Sequence, residues 1–179
     1  AFSRIFHNGH VEKGFKPVHW CLDCESSLAE AEVDYLDKTS RAIDVKFRID
    51  ETLEKKFIKQ NKLPENSKVF AVIWTTTPWT IPGNQAVCVN KDIEYSLVEV
   101  TKNEIYIIAS ELVKACFDRW SLEDFEIIKK MKGNDLDGLH FIHPLYSRTS
   151  PLLFSEHVTT DTGTGCVHSA PAHGPEDFE

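Results

Sequence analysis

Two short stretches of this sequence concentrate side chains that can bind charge or move protons. The first, Thr162 to Asp177, reads TGTGCVHSAPAHGPED and packs Gly163, Gly165, Gly174, two prolines, His168, His173, Glu176 and Asp177 into one span. Glycine serves where a backbone must take positive φ or approach something closely, and proline fixes the path beside it, so the stretch reads as a rigid pocket wall. The second, Thr75 to Asn84, reads TTTPWTIPGN and presents hydroxyls and backbone N–H groups on an edge stiffened by Pro78 and Pro82. A carboxylate such as Asp177 can hold a cationic group by a charge-assisted hydrogen bond, and a histidine such as His168 can act as a general base. Each stretch also has a plainer reading. Thr162 to Asp177 can be a Gly-rich turn with a core histidine and a helix-terminal acid, and the threonines can end a strand because they are β-branched.

The elements that must position these residues follow from periodicity. Cys166 to Ala170 alternates as a short strand, with Cys166, His168 and Ala170 on one face. Pro171 stops or edges it, and Pro175 to Phe178 has the proline and acids of an opening helical turn. Val69 to Trp74 is a nearly continuous apolar run, predicting a strand deep in a sheet that empties into Thr75. Ile43 to Ile49 alternates as a half-buried antiparallel strand. Gln85 to Val89, Glu94 to Val100 and Glu104 to Ala109 are further strands, the last two a hairpin around Asn103. Phe125 to Met131 and Leu152 to Thr160 complete the set. Helices are expected within residues 1–13, where Phe2, Ile5 and Phe6 share helical spacing ahead of Gly9 and Gly14, as a turn or two over Glu51 to Gln60, and from a Ser110 cap through Leu112, Val113, Cys116 and Trp120. The sum is an α+β, mainly antiparallel β domain with a distorted barrel-like core and a few peripheral helices.

Composition sets outer limits. The 179 residues carry 20 basic and 28 acidic side chains, a net charge of −8, which argues against a broad surface gripping a nucleic-acid backbone by counterion release. It leaves room for contact with a few terminal nucleotides. No signal peptide or membrane-length apolar run is read, so no membrane partner and a cytoplasmic location are expected. The five cysteines are an odd number, which suits a reducing compartment. Cys21-Leu22-Asp23-Cys24 is a CxxC knuckle of the kind that gives two thiolates to tetrahedral zinc, although a closed site needs four ligands and no second CxxC follows. A redox pair and two incidental thiols remain as alternatives.

Together, TTTPWTIPGNQA and GTGCVHSAPAHGPEDF closely resemble the threonine-rich peptide and the GTG…HxAPxHG…D peptide of the editing domain inserted in isoleucyl-tRNA synthetases. The related valyl and leucyl enzymes typically carry Arg after the two threonines and Asp in place of the Gly after PAH, so Thr77-Pro78-Trp79 and Gly174 select the isoleucyl branch. The upstream GHVEKGFKPVHWCLDCESSLAEAEV looks like the bacterial-type lead-in to the same insertion. On this resemblance residues 1–40 are a lead-in segment bearing the knuckle, and 41–179 an editing domain that the family's pattern continues for some tens of residues further. The opening without Met suggests a piece of something larger.

The resemblance implies a reaction: hydrolysis of the ester joining valine to the 3′ end of the isoleucine tRNA, with a share in clearing valyl-adenylate. A pocket rejects a side chain one methylene short only by about 10–200-fold, isoleucine against valine being the standard instance, so a second, hydrolytic sieve is needed. Residue by residue, Asp177 matches the acid that holds the substrate's α-ammonium. His168 matches the histidine lining the amino-acid pocket, assigned here to steric rejection of isoleucine. Thr75, Thr76 and Thr77 match the peptide around the scissile ester and its water, and Asn84 matches a polar residue near the same pocket. Trp79 and Gly165 join them as binding residues.

No serine or cysteine nucleophile with a base stands out, so direct attack by a positioned water is expected, with His168 as general base the alternative. Editing itself then needs no cofactor. ATP belongs to the synthetic core outside these residues, and the Cys21 and Cys24 half-site to a zinc whose other ligands lie elsewhere. The partners implied are the valine-charged tRNA end and the rest of a monomeric synthetase. Two other classes stay open: a metallohydrolase using His168, His173 and Asp177, and a non-catalytic module that captures a tRNA end or docks a protein.

Overall fold

The computed structural model describes residues 1–178. The alternating and apolar runs all become strands, and the pairing among them decides where the two motif stretches meet. The chain runs through a short helix α1 (Phe2–His7) and a two-residue-per-arm hairpin β1 (Trp20–Cys21) and β2 (Ser26–Ser27). Then follow β3 (Ile43–Arg48), α2 (Glu51–Asn61), β4 (Lys68–Thr75), β5 (Ala86–Val89), β6 (Glu94–Thr101) and β7 (Glu104–Ala109). The chain continues through α3 (Val113–Trp120), β8 (Glu126–Lys132), β9 (His140–Ile142), β10 (Thr149–Phe154), β11 (Val167–Ser169) and α4 (Pro175–Phe178).

Five strands form one sheet in the order β3-β4-β7-β6-β8, and four form a second in the order β11-β5-β10-β9. Pairing is antiparallel except for β4 with β7 and β10 with β5. This is the α+β, mainly antiparallel arrangement expected, and its barrel-like core stays open. Instead an isolated bridge from Ile49 to Phe141 ties the β3 edge to the β9 edge, while the Ala109 N–H donates to Thr164 O at 2.9 Å on the loop that leads into β11. Phe47, Ile73, Leu97, Ile107 and Phe141 fill the space between the sheets and are almost wholly removed from water. Their burial is the main stabilising term, roughly 2 kcal/mol for each side chain of this size.

Three expectations need correction. The helix after β3 has three turns rather than one or two, because Asp50 caps it by accepting from Thr52 N–H and Phe57 and Ile58 give it a buried face. Its Glu54 is also buried, held by Arg48 Nη2 at 2.7 Å and by the Val69 N–H at 2.9 Å. Ser110 does not cap α3, since its hydroxyl lies 2.8 Å from that of Ser96 and a short 3₁₀ turn intervenes. The strand expected over Leu152 to Thr160 starts at Thr149 and ends at Phe154. Pro151 lies where the strand changes partners: Thr149 to Pro151 pair with β9 and Leu152 to Phe154 with β5. A residue without an N–H is tolerated at such a switch. No described helix is long and apolar enough to cross a membrane.

Candidate functional site

The buried β4 ends at Thr75, and the chain then coils into a short 3₁₀ segment over Pro78–Gly83. Thr75, itself buried, accepts the Thr77 N–H on its hydroxyl at 3.0 Å, and the two hydroxyls lie 3.1 Å apart. This local bond competes with further strand pairing and fixes the turn. The exposed Ser40 hydroxyl donates to Thr76 O at 2.8 Å and steadies the loop from outside.

Facing Thr75 and Thr76 is the Gly-rich loop that precedes β11. Gly163 and Gly165 both have positive φ, +84° and +78°. A Cβ on Gly165 would fall 2.3 Å from Ala109 Cβ, so only glycine lets this loop lie against the end of β7. The Gly165 carbonyl accepts from the buried Tyr95 hydroxyl at 2.7 Å, which pins it further. Trp74, Thr75 and Thr76 on one side and Thr162 to Val167 on the other enclose a cleft of about 290 Å³, closed along the edge by His157 and Thr159. The two motif stretches, 87 residues apart from Thr75 to Thr162, therefore meet across one cavity.

His168 lies next to this wall. Antiparallel pairing of β11 with β5 puts it opposite Val87, inside the molecule at 8% exposure, in line with buried Cys166 and Ala170. Its Nε2 is 2.9 Å from the Thr80 hydroxyl, which is in turn 2.8 Å from Thr77 O. Thr77 thus joins two sets of bonds, Thr75 on the cleft side and Thr80 and His168 on the other. The His168 Nδ1 is buried without a partner among the described residues. Burial lowers the pKa of the imidazole, partly opposed by the charge of Asp177.

Asp177, on α4, is half-buried and does not line the cleft. Its Oδ2 accepts the Ala170 N–H at 3.1 Å, closing the Ala170-to-Asp177 loop back onto the end of β11, and the carboxylate acts electrostatically on both His168 and Cys88. His173 packs on Gly83, where an added Cβ would meet its Nε2 at 3.0 Å.

Of the sequence candidates only Thr75, Thr76 and Gly165 line the cleft, and Asn84 and Trp79 are placed away from it. Asn84 has 0% exposure, and its amide is engaged at both ends, donating to Ala86 O at 2.7 Å and accepting from the Ser150 hydroxyl. That makes it a brace between β5 and β10, since an amide so deep must find internal partners. Trp79 is 63% exposed and lies outside the cleft lining. The cleft contains one thiol, Cys166, whose pKa burial pushes up to about 12, so no thiolate nucleophile is available there.

Metal-binding geometry is limited. Among the described residues no three His, Cys, Asp or Glu side chains group as a metal site, the His168, His173 and Asp177 set included. Cys21 and Cys24 lie on the β1–β2 turn, where Cys24 N–H points at Cys21 Sγ at 3.3 Å. That N–H lowers the Cys21 pKa and favours the thiolate that a metal would take.

Sequence reading missed Thr80 and His143 as parts of the site. Thr80 stood inside the quoted motif without a role. His143 holds the back of the 3₁₀ turn, with Nε2 3.0 Å from Ile81 O and Nδ1 accepting the Leu145 and Tyr146 N–H groups. Nothing local marks it except a following proline.

Comparison with known proteins identifies the setting of this cleft. Over 182 residues the chain is 50% identical to an isoleucine–tRNA ligase of Colwellia psychrerythraea, and over 181 residues 49% identical to one of Halorhodospira halophila. Those alignments take in 99% and 100% of this chain and, in each case, 19% of the relative's length. The chain spans about a fifth of these relatives. Its fold is similar to the crystal structure of GlLeuRS-CP1, with a TM-score of 0.66 at 24% identity over 77% of this chain and 57% of that one. It is also similar to the editing domain of the P. knowlesi cytosolic leucyl-tRNA synthetase, with a TM-score of 0.64 at 16% identity over 80% and 62% of the two chains. A family model for the class I tRNA synthetases of isoleucine, leucine, methionine and valine matches residues 1–137. On that match the chain belongs to the class I tRNA synthetases of this group.

Proposed function

We propose that this chain is the editing domain of an isoleucine–tRNA ligase and hydrolyses the ester of valine on the 3′ end of the isoleucine tRNA. The observation that supports this reading best is the meeting of the Thr75–Thr76 edge with the Thr162–Val167 loop across one cleft. A terminal adenosine ester entering there would meet hydroxyls and main-chain groups held by the Thr75–Thr77 bonds, which suits the orientation of an attacking water. Asp177, half-exposed beside the end of β11, takes the substrate's ammonium by a charge-assisted bond. Water attacks directly. The buried thiol of Cys166 gives no route to an acyl-enzyme. Valyl-adenylate is cleared at the same place.

The parent enzyme joins isoleucine to its tRNA with ATP bound in a core outside these residues, and works in the cytoplasm as a monomer. Cys21 and Cys24 supply two thiolates to a structural zinc whose remaining ligands come from that body, so the metal serves the fold and not the hydrolysis.

The test is single-turnover deacylation of valine-charged and isoleucine-charged isoleucine tRNA by the parent enzyme carrying this chain, and by its Asp177→Ala variant. Selective release of valine that falls about 100-fold or more in the variant is expected, the scale of losing a charge-assisted anchor. Valine release unaffected by Asp177→Ala, or no release at all, overturns the reading. Treatment with a chelator leaves the valine rate unchanged if the zinc is structural.

A further inference from the structure

Beside the cleft lies a second hollow of about 200 Å³, lined by Asn90, Lys91, Phe154, Ser155 and Glu156, none of which lines the cleft itself. Hydrogen bonds tie the two together. The Ser155 hydroxyl is 2.6 Å from Nδ1 of His157, the residue that closes the cleft edge, so the short segment from Ser155 to His157 borders the hollow at one end and the cleft at the other. The Asn90 amide donates to Val158 O at 3.0 Å and holds the same segment. The Asn90 N–H donates to the Tyr95 hydroxyl at 3.1 Å, which donates in turn to Gly165 O on the cleft loop. The turn between β5 and β6 that carries Asn90 and Lys91 is itself fixed. The Asn134 N–H donates to Lys91 O at 3.1 Å, and a Cβ on Gly133 would fall 2.1 Å from Asn90 O, so only glycine packs there.

The side chains presented on this fixed frame differ in kind. Phe154, at the end of β10, keeps 38% of its surface exposed and offers an aromatic ring. Lys91 is exposed and enters no ion pair among the described residues. Glu156 is an exposed carboxylate. A bare anion is poorly served by a hollow that holds a carboxylate beside its ammonium, and a bare cation gains as little. A ligand with a flat ring, an amino group and a phosphate uses all three: the ring stacks on Phe154, the amino group donates to Glu156, and the phosphate pairs with Lys91. A nucleotide with an amino-bearing base is such a ligand. We propose that the hollow is a subsite for the nucleotide that precedes the esterified terminal adenosine, with the Ser155–His157 segment as the divider between the two. The proposal rests on the editing reading for what fills the cleft. It also gives a chain of net charge −8 a way to hold an RNA end, by one stacked base and one cation at a fixed place rather than by a basic surface.

The test has two arms. In the parent enzyme carrying this chain, single-turnover hydrolysis is followed for two valine esters, one on adenosine alone and one on the cytidine–adenosine dinucleotide. Half-saturation is expected at an about tenfold lower concentration for the dinucleotide ester, the scale of one base stacked on an aromatic ring, with nearly equal saturating rates. Phe154→Ala removes that advantage and leaves the adenosine ester unchanged. Lys91→Ala reduces it and flattens its salt dependence. Replacing the cytidine by uridine, which lacks the amino group, reduces the advantage in the unaltered enzyme but not in Glu156→Gln, whose amide donates to the uridine oxygen. In the chain of this sequence, backbone amide NMR signals are followed during titration with the uncharged dinucleotide. Those of Lys91, Phe154 and Glu156 are expected to move together with those of Gly163 and Gly165, whereas adenosine monophosphate moves only the latter pair. Equal half-saturation for the two esters, an undiminished dinucleotide advantage in Phe154→Ala, or dinucleotide shifts confined to the cleft loop overturns the proposal. If neither ester is hydrolysed, the editing reading fails while the amide shifts still decide what the hollow binds.

Discussion

The two buried histidines, His143 and His168, sit on opposite sides of the same 3₁₀ turn and are satisfied to different degrees. His143, 2% exposed, gives one nitrogen to Ile81 O and the other to two backbone N–H groups, so its ring completes three main-chain bonds. His168 has one side-chain partner, Thr80, and a second nitrogen with none. A ring whose nitrogens are both used by backbone is a structural strut. A ring held at one nitrogen by a single hydroxyl, next to a cleft, braces no main chain. The difference teaches that burial alone does not sort functional from structural histidines; the accounting of partners does.

The largest effect expected from breaking this contrast is in stability at His143. His143→Ala removes a buried ring and strands the Leu145 and Tyr146 N–H groups and Ile81 O, so denaturant unfolding is expected to show a loss of about 3 kcal/mol. A loss below about 1 kcal/mol would make His143 as dispensable as a surface residue. Asn84→Ala comes next, at about 2 kcal/mol, because it frees Ser150 and Ala86 O inside the β5–β10 seam. His168→Ala is expected to cost only about 1 kcal/mol, since one neutral hydrogen bond goes and an unsatisfied nitrogen goes with it. On the proposed function its consequence belongs to selectivity instead, and faster hydrolysis of the isoleucine ester is expected. Equal stability losses at His143 and His168, measured by the same denaturant midpoints, would erase the contrast.

Much of this was legible in the sequence. The alternation of Ile43 to Ile49 and the apolar run into Thr75 gave their strands within one or two residues, because period and burial are local signals. The two motif stretches were recognisable as a pair, and the structure sets Thr75, Thr76 and Gly165 on one cleft. What periodicity could not carry was partner choice. The parallel pairing of β4 with β7, the partner switch at Pro151 and the closure failure of the barrel depend on contacts far apart in the chain. Asn84 meets a related limit: its residue type suits either a binding site or a buried brace, and its bonds to Ser150 and Ala86, which show the brace, are formed with residues that periodicity does not bring together. Thr80 went without a role because a hydroxyl between two acceptors gains meaning only when the second acceptor, 88 residues on, is in place.

The smallest expected effect, and the one that sharpens the contrast, is in the pH dependence of folding. Both rings have pKa values below the ordinary imidazole value, burial being the largest cause in each; the bond to Ile81 O partly offsets it at His143, and the Asp177 charge partly offsets it at His168. A folded pKa below the unfolded one means that, between the two, the unfolded chain binds more protons, so stability rises with pH. The contribution is complete above the unfolded value of about 6.5 and is lost as pH falls from there through the folded values. The chain is therefore expected to unfold at lower denaturant at pH 5.5 than at pH 7.5, in a window above the range where carboxylates titrate. His143→Gln and His168→Gln should each flatten that slope by removing one depressed group. Protonating His143 puts a second hydrogen where two backbone N–H groups already point, whereas protonating His168 fills a nitrogen that has no partner and brings a positive charge towards Asp177. The flattening is therefore expected to be greater in His143→Gln, and a greater effect at His168 would show that its environment resists the proton more than a strut with both nitrogens occupied.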